Sequence, residues 1–415
     1  MRRALPLTLL SSVFVVFSVR AQDRFAYAIT DLSKEGAGWN ALRRLDLQTG
    51  EYSNILLNGI DEKTSVFSAS SKKQLSLPAD AQYGNMMQAP FATGVAAAAF
   101  DKKHNRLYFT PMFVDQLRYI DLTTMKVFYV DGQPFSKHGN MHNDEGKIVT
   151  RMVIAPDGFG YAITNDGNTF IRFSTGKKTS IKHLGSLVDD PANNGISVHN
   201  RCTSFGGDMI SDDKGNLYIL SARNNVFKVN TTTRVATHLG SINGLDPTFT
   251  VNGAVVDADG NLLVSSAVDG NSYFLVNPKD WKASPYRPYN GIFKSSDLAN
   301  GNYLSESGSR DYVAKWNIPR LIRPEAKFAN QVSVYPNPVT ADNITIQFSK
   351  IPNGNYTVEL RDATGRNVTQ RRIIINSEMQ TQEFRIKSKN TKGIYMVKVF
   401  DSNHQSVLTQ KLVVQ

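Results

Sequence analysis

The string His138-Gly139-Asn140-Met141-His142-Asn143-Asp144-Glu145 gathers two imidazoles and two carboxylates on one short stretch of chain. Such a set offers ligands to zinc or a similar ion, and both halves of a general acid–base pair. The spacing argues against the metal. Histidines four apart share a face only on a helix, and a run rich in Gly and Asn is a loop. A solvated polar loop is expected here, with no metal. Further along stand His199, Arg201 and Asp208. Together with His138, His142, Asp144 and Glu145 they form the set from which a ligand site would be drawn. Asp257-Ala258-Asp259-Gly260-Asn261 opens like a calcium loop but lacks the bidentate Glu that such a loop places at its twelfth position. It reads instead as a turn between strands.

Other chemistries leave no mark. There is no Gly-x-Ser-x-Gly elbow around Thr203 to Gly207 or Ser305 to Ser309, no phosphate-binding loop, no dinucleotide fingerprint and no His-Glu-x-x-His. No cofactor is expected. The single Cys202 excludes an intrachain disulfide and suits a small buried hydrophobe. The formal charge of +11 invites a nucleic-acid reading, but Arg2, Arg3 and Arg20 lie in the first 21 residues. The last 85 residues hold 11 Lys/Arg against 6 Asp/Glu, and no dense basic run with interleaved aromatics occurs. Nucleic acid is not an expected partner.

The elements that would position the candidates repeat. Each unit has an apolar strand, a polar turn with Asp, and a second strand opening on Leu or Tyr. Ala97-Ala98-Ala99-Phe100-Asp101 leads to Leu107, Met152 to Asp157 leads to Tyr161, and Met209 to Asp212 leads to Leu217. Ala254 to Asp257 leads to Leu262, and Ser295 to Asp297 leads to Tyr303. The spacings between the second-strand residues are 54, 56, 45 and 41. Each unit continues with a third strand, a turn such as Asp46 to Gly50 or Asn230 to Thr233, and a fourth strand. Four strands at this period predict an all-β β-propeller over residues 22–318, its first strands lining the channel. Six blades are expected, or five if the Ser295 strand completes the first unit. The long insertions Asn58 to Gly94, Asp131 to Thr150 and Asp189 to Gly207 carry the candidate residues onto the face where chain enters the innermost strands.

The ends differ from this middle. Residues 1–21 read as a secretory signal peptide: Arg2 and Arg3, an apolar run, then Val19-Arg20-Ala21 before the cut. No other window reaches membrane-spanning length, so no transmembrane segment is expected in the mature chain. A basic, Pro-flanked linker over 319–331 precedes seven short alternating runs in 332–415, which predict an immunoglobulin-like β-sandwich.

Residues Tyr335-Pro336-Asn337-Pro338 near the start of this tail, then Gly393-Ile394-Tyr395 and the terminal Lys411-Leu412-Val413-Val414, carry a resemblance. With Gly354-Asn355-Tyr356 and Asp362 to Arg366, the tail resembles the type A C-terminal sorting domain of type IX secretion. That resemblance implies passage across the outer membrane of a Gram-negative bacterium by way of the periplasm. It also implies two partners: the secretion machinery, and a sortase-like peptidase that removes the domain. The whole sequence is thus expected to be a cell-surface or secreted propeller that binds a glycan, peptide or protein. The alternative is a hydrolase or lyase with its site on the loop-rich face.

Overall fold

The computed structural model describes residues 22–34, 36–77, 79, 84–140, 143–176, 178–286, 292–305, 331–339, 343–362, 367–385, 392–402 and 406–415. The stretch expected to be a signal peptide, residues 1–21, and most of the expected linker, 319–331, lie outside the described residues. The chain forms two compact units, Met1–Arg310 and Asp311–Gln415.

In the first unit five sheets each run outward from an innermost strand. Blade two is Val95–Asp101, Arg106–Pro111, Arg118–Asp121 and Lys126–Tyr129. Blade three is Val149–Ile154, Phe159–Thr164, Phe170–Ser174 and Ile181–Gly185. Blade four is Asp208–Ser211, Leu217–Leu220, Asn225–Val229 and Val235–Ser241. Blade five is Gly253–Val256, Leu262–Ser265, Tyr273–Asn277 and Lys282–Tyr286. Two insertions add strands at the rim: Val66–Ser68 runs parallel to Lys126–Tyr129, and Val188–Asp189 parallel to Val235–Ser241.

Blade one is the closure. Its innermost strand, Ser295–Ala299, comes from the far end of the unit and pairs antiparallel with Phe25–Thr30, placing Asp297 opposite Ile29. Ala41–Asp46 and Leu57–Asn58 complete it. The expected six blades are therefore five among the described residues. The Ser295 repeat opens no sheet of its own, because its strand hydrogen-bonds along the edge of Phe25–Thr30. Nor does the Tyr303 segment act as a second strand: Leu304 instead makes a parallel bridge to Asp212 in blade four.

The five innermost strands pack in a closed ring, each against the next and Gly253–Val256 back against Ser295–Ala299. Small residues make this possible, since Ala97, Ala98, Ala99 and Ala254 are all buried at the axis. The repeated Asp residues are turn formers. Asp101, Asp157, Asp212 and Asp257 each accept amide hydrogen bonds from residues just downstream, at 2.8–3.3 Å. Asp257 thus does the work of a strand turn, as its place in the repeat requires. Between blades the core is aromatic, with Tyr108, Tyr119 and Phe173 in contact across blades two and three.

The second unit is a sandwich of two sheets. One holds Val332–Tyr335, Asn343–Ser349 and Met379–Arg385; the other holds Asn367–Ile375, Gly354–Asp362, Gly393–Phe400 and Ser406–Val414. Strict alternation drives it. Val358, Leu360, Val397, Val399 and Leu412 face Ile344, Ile346 and Phe348 in one buried core. No helix among the described residues is long and apolar enough to cross a membrane.

Candidate functional site

The loops that enter the innermost strands of blades three and four meet at one turn, Asn165 to Thr169 of blade three. His138, from the loop before blade three, places Nε2 2.8 Å from the Thr169 hydroxyl. His199, from the loop before blade four, places Nδ1 2.6 Å from the Asp166 carbonyl, so that nitrogen carries the proton and donates. Asn165 accepts the Gly206 amide at 2.5 Å and donates to the Glu145 carbonyl at 3.2 Å. Two histidines and an amide thus clamp one turn between two insertions.

The remaining loop-face candidates are also engaged. Asp144 caps the short 3-10 turn Glu145–Lys147, accepting the Gly146 amide, and pairs with Lys147 at 3.1 Å. Those contacts hold its carboxyl below the usual range. Glu145 and Arg201 meet at 3.0 Å as an exposed pair joining the two insertions. His142 lies outside the described residues. The structure thus brings His138, Glu145, His199 and Arg201 to one patch, but neither described histidine has a carboxylate as its hydrogen-bond partner. A neighbour outside the sequence-derived set, Asp115, organises the same region: it accepts the Ser136 amide, the Ser136 hydroxyl at 3.0 Å and the Gly139 amide at 3.0 Å.

Cys202 is exposed, not buried. It stands at the start of the four-residue helix Arg201–Ser204, whose N-cap Asn200 accepts its amide at 2.8 Å and turns it outward.

Asp208 separates from the loop set. It opens the innermost strand of blade four and is fully buried. The preceding Gly207 has φ +90°, and a Cβ there would meet the Leu220 carbonyl, so only glycine lets the chain enter at this angle. Asp208 accepts the Met209 amide and, across the blade boundary, the Ala254 amide, both at 2.6 Å. Around the axis sit Arg151 of blade three and Asp297 of blade one, both fully buried. Arg151 donates to the carbonyls of Thr164, Asn165, Ser204 and Gly206, and burial lowers its pKa to about 10. Neither carboxyl oxygen of Asp297 has a hydrogen-bond partner of ordinary geometry.

Burial pushes both acids well above the usual aspartate range. For Asp297 the charge of Asp208 adds to the rise, with the Ala98 amide opposing it. For Asp208 the amides of Ala254, Met209 and Leu298, and then Arg151, oppose the rise. Of the two, Asp208 has more contacts that favour its charged form. Sequence reading found Asp208 but placed it with the loop residues. It missed Arg151 and Asp297 as site residues; their signal was a charged residue inside an innermost strand of the repeat.

In the tail, Asn337 laces the terminal strand. Its Nδ2 donates to the Lys411 carbonyl at 2.8 Å, and its Oδ1 accepts the Val413 amide at 3.0 Å. Pro336 and Pro338 have no amide to offer, so the asparagine side chain supplies the pairing. Val339 then exchanges hydrogen bonds with Val413 and Gln415. Tyr395 is buried in the sandwich core, Tyr335 is exposed, and Gly393 opens the strand that pairs with Lys411.

No curated protein matches the chain. Among solved structures it is similar to PorZ, a surface component of the type IX secretion system of Porphyromonas gingivalis, at 17% identity and a TM-score of 0.33. That alignment covers 94% of this chain and 51% of PorZ, so the chain spans about half of that protein. It is also similar to a chain of the nidogen/laminin complex, at 12% identity over 66% of this chain and 97% of that one, with a TM-score of 0.36. A third is virginiamycin B lyase of Staphylococcus aureus, at 11% identity over 78% of this chain and 85% of that one, with a TM-score of 0.30. Likenesses this loose carry no function to the chain, whose propeller stands on its own sheet topology. The tail is matched directly: residues 333–415 are a secretion system C-terminal sorting domain, the address of a protein exported to the cell surface or medium of a Gram-negative bacterium.

Proposed function

We propose that the exported propeller is a binding module, holding a glycan, peptide or protein on its loop-rich face. One observation carries this reading. The ionisable groups of that face are used to fix the loops: His138 and His199 grip the same turn, and Glu145 and Arg201 tie two insertions together. Loops fixed before a ligand arrives lose little freedom on binding, which is the economy of a recognition surface. The hydrolase or lyase alternative needs an acid–base pair open to substrate, whereas Asp208 and Asp297 are sealed at the axis.

The delivery reading completes the proposal. Residues 1–21 direct the chain to the periplasm, the tail directs it across the outer membrane, and a sortase-like peptidase removes the tail. Glycan and peptide arrays probed with the full chain test the binding reading. Retention of a ligand class without turnover supports it. Release of cleaved products from the retained ligand would move the assignment to the enzyme alternative.

A further inference from the structure

The two outer faces of the sorting domain differ in chemistry. In the three-stranded sheet the outward positions carry no net charge: Ser333, Thr345, Gln347 and Thr381 are neutral and polar, Glu383 balances Arg385, and Tyr335 and Met379 are exposed uncharged side chains. The four-stranded sheet is otherwise. Its core-facing positions are Ile373, Val358, Leu360, Val397 and Val399, so the residues between them point outward.

Register then assembles those outward residues into rows. Arg372 stands beside Thr357, and Thr357 beside Phe400. Gln370 stands beside Glu359, and Glu359 beside Lys398. Arg361 stands beside Met396, and Met396 beside Lys411. The face thus sets four cations against one carboxylate, and Arg361 already holds that carboxylate at 2.8–3.0 Å. Apolar residues sit between the cations, and the face runs out to Ile394, 45% exposed, and Ile374, 66% exposed.

We propose that this basic, half-apolar sheet face is the surface by which the sorting domain docks on an acidic protein surface of the secretion machinery. The inference rests on the sorting-domain assignment and adds where recognition occurs and by what chemistry. A face with cations in excess attracts and orients an acidic partner, and apolar side chains between them supply the area that excludes water. A protein fits better than a lipid surface. Met396 and Phe400 both lie in Gly393–Phe400, a central strand of the sheet, where they meet a matching surface but cannot insert among acyl chains.

The test uses the full chain in a host with the secretion machinery. Arg372→Glu and Lys398→Glu reverse charge on the proposed face; Thr381→Glu and Gln347→Glu add the same charge on the neutral face. Arg372→Gln and Lys398→Gln remove charge with the smallest change of shape, and thermal melts of the purified chains establish which variants fold. Like charges brought together at an interface are strongly unfavourable, so the folded reversal variants should reach the surface or medium about tenfold less than wild type. The Gln variants should fall between, and the neutral-face variants should stay within about twofold of wild type, since rim-like substitutions outside an interface cost little.

Equal export of folded reversal variants and wild type would overturn the proposal. So would equal losses from both faces. Cosedimentation of the full chain with phosphatidylglycerol vesicles, lost on Lys398→Glu, would assign the face to lipid and overturn the protein partner. A chain deleted of 331–415 separates the two readings. If it still crosses the outer membrane, the sorting assignment fails; if it is retained while the reversal variants travel normally, only the docking face fails.

Discussion

Asn302 binds both backbone groups of Asp23: its Oδ1 accepts the Asp23 amide at 2.7 Å and its Nδ2 donates to the Asp23 carbonyl at 2.9 Å. The same Nδ2 reaches the Val256 carbonyl at 2.9 Å, while the Asp23 carboxylate takes the Gly301 amide and pairs with Lys102 at 2.6 Å. The two ends of the propeller are thus joined through side chains as well as through the shared sheet of blade one.

Asn302→Ala leaves the Asp23 amide and two carbonyls without these partners in a buried setting. A loss of about 2–4 kcal/mol is expected. Urea unfolding of the full chain checks it, with Lys102→Ala as the comparison. The Lys102 side chain is half exposed, and removing it should cost no more than about 1 kcal/mol.

The axial acids make stability depend on pH in a definite direction. Asp208 and Asp297 hold their protons more tightly in the fold than in the unfolded chain, where aspartate ionises near about 3.9. Above that pH the unfolded state gives up protons that the fold retains, so this contribution falls as pH rises through the folded pair. Asp297→Asn keeps the shape and removes the ionisation. The variant should be about 1–3 kcal/mol more stable at pH 8, with a flatter dependence of Tm on pH between 5 and 8. Asp208→Asn should instead destabilise by about 2–4 kcal/mol, because its NH2 would face one of the two amides that the carboxylate accepts.

These residues show how far the sequence could be read. The repeat was legible because Asp101, Asp157, Asp212 and Asp257 each mark a strand turn with a local side-chain bond, a feature that needs no tertiary context. Seven tail strands were legible because period-two alternation reports burial directly. The blade count was not, since whether Ser295–Ala299 starts a blade or closes one depends on a partner some 270 residues away. The loop face divided in the same way. His138 and His199 were found as residue types, but their partners, Thr169 and the Asp166 carbonyl, are supplied by blade packing.

In the tail, Asn337→Ala removes both side-chain bonds to the terminal strand. The site is exposed and water replaces part of the loss, so a cost of about 1 kcal/mol is expected. Amide hydrogen exchange should quicken first at Val413, whose N–H loses its acceptor.

Glu145→Gln weakens the exposed pair with Arg201 and should change stability by less than about 1 kcal/mol. Under the binding reading it loosens one exposed tie while His138 and His199 still hold the shared turn, and ligand retention should fall no more than about threefold. Array binding repeated on the variant measures this.

Fractionation of cells producing the chain with residues 331–415 deleted tests the central claim, an exported propeller addressed by its tail. The deleted chain should accumulate folded in the periplasm, with the surface and medium empty of it. Delivery of the deleted chain to the surface or medium at the level of the full chain would contradict the claim.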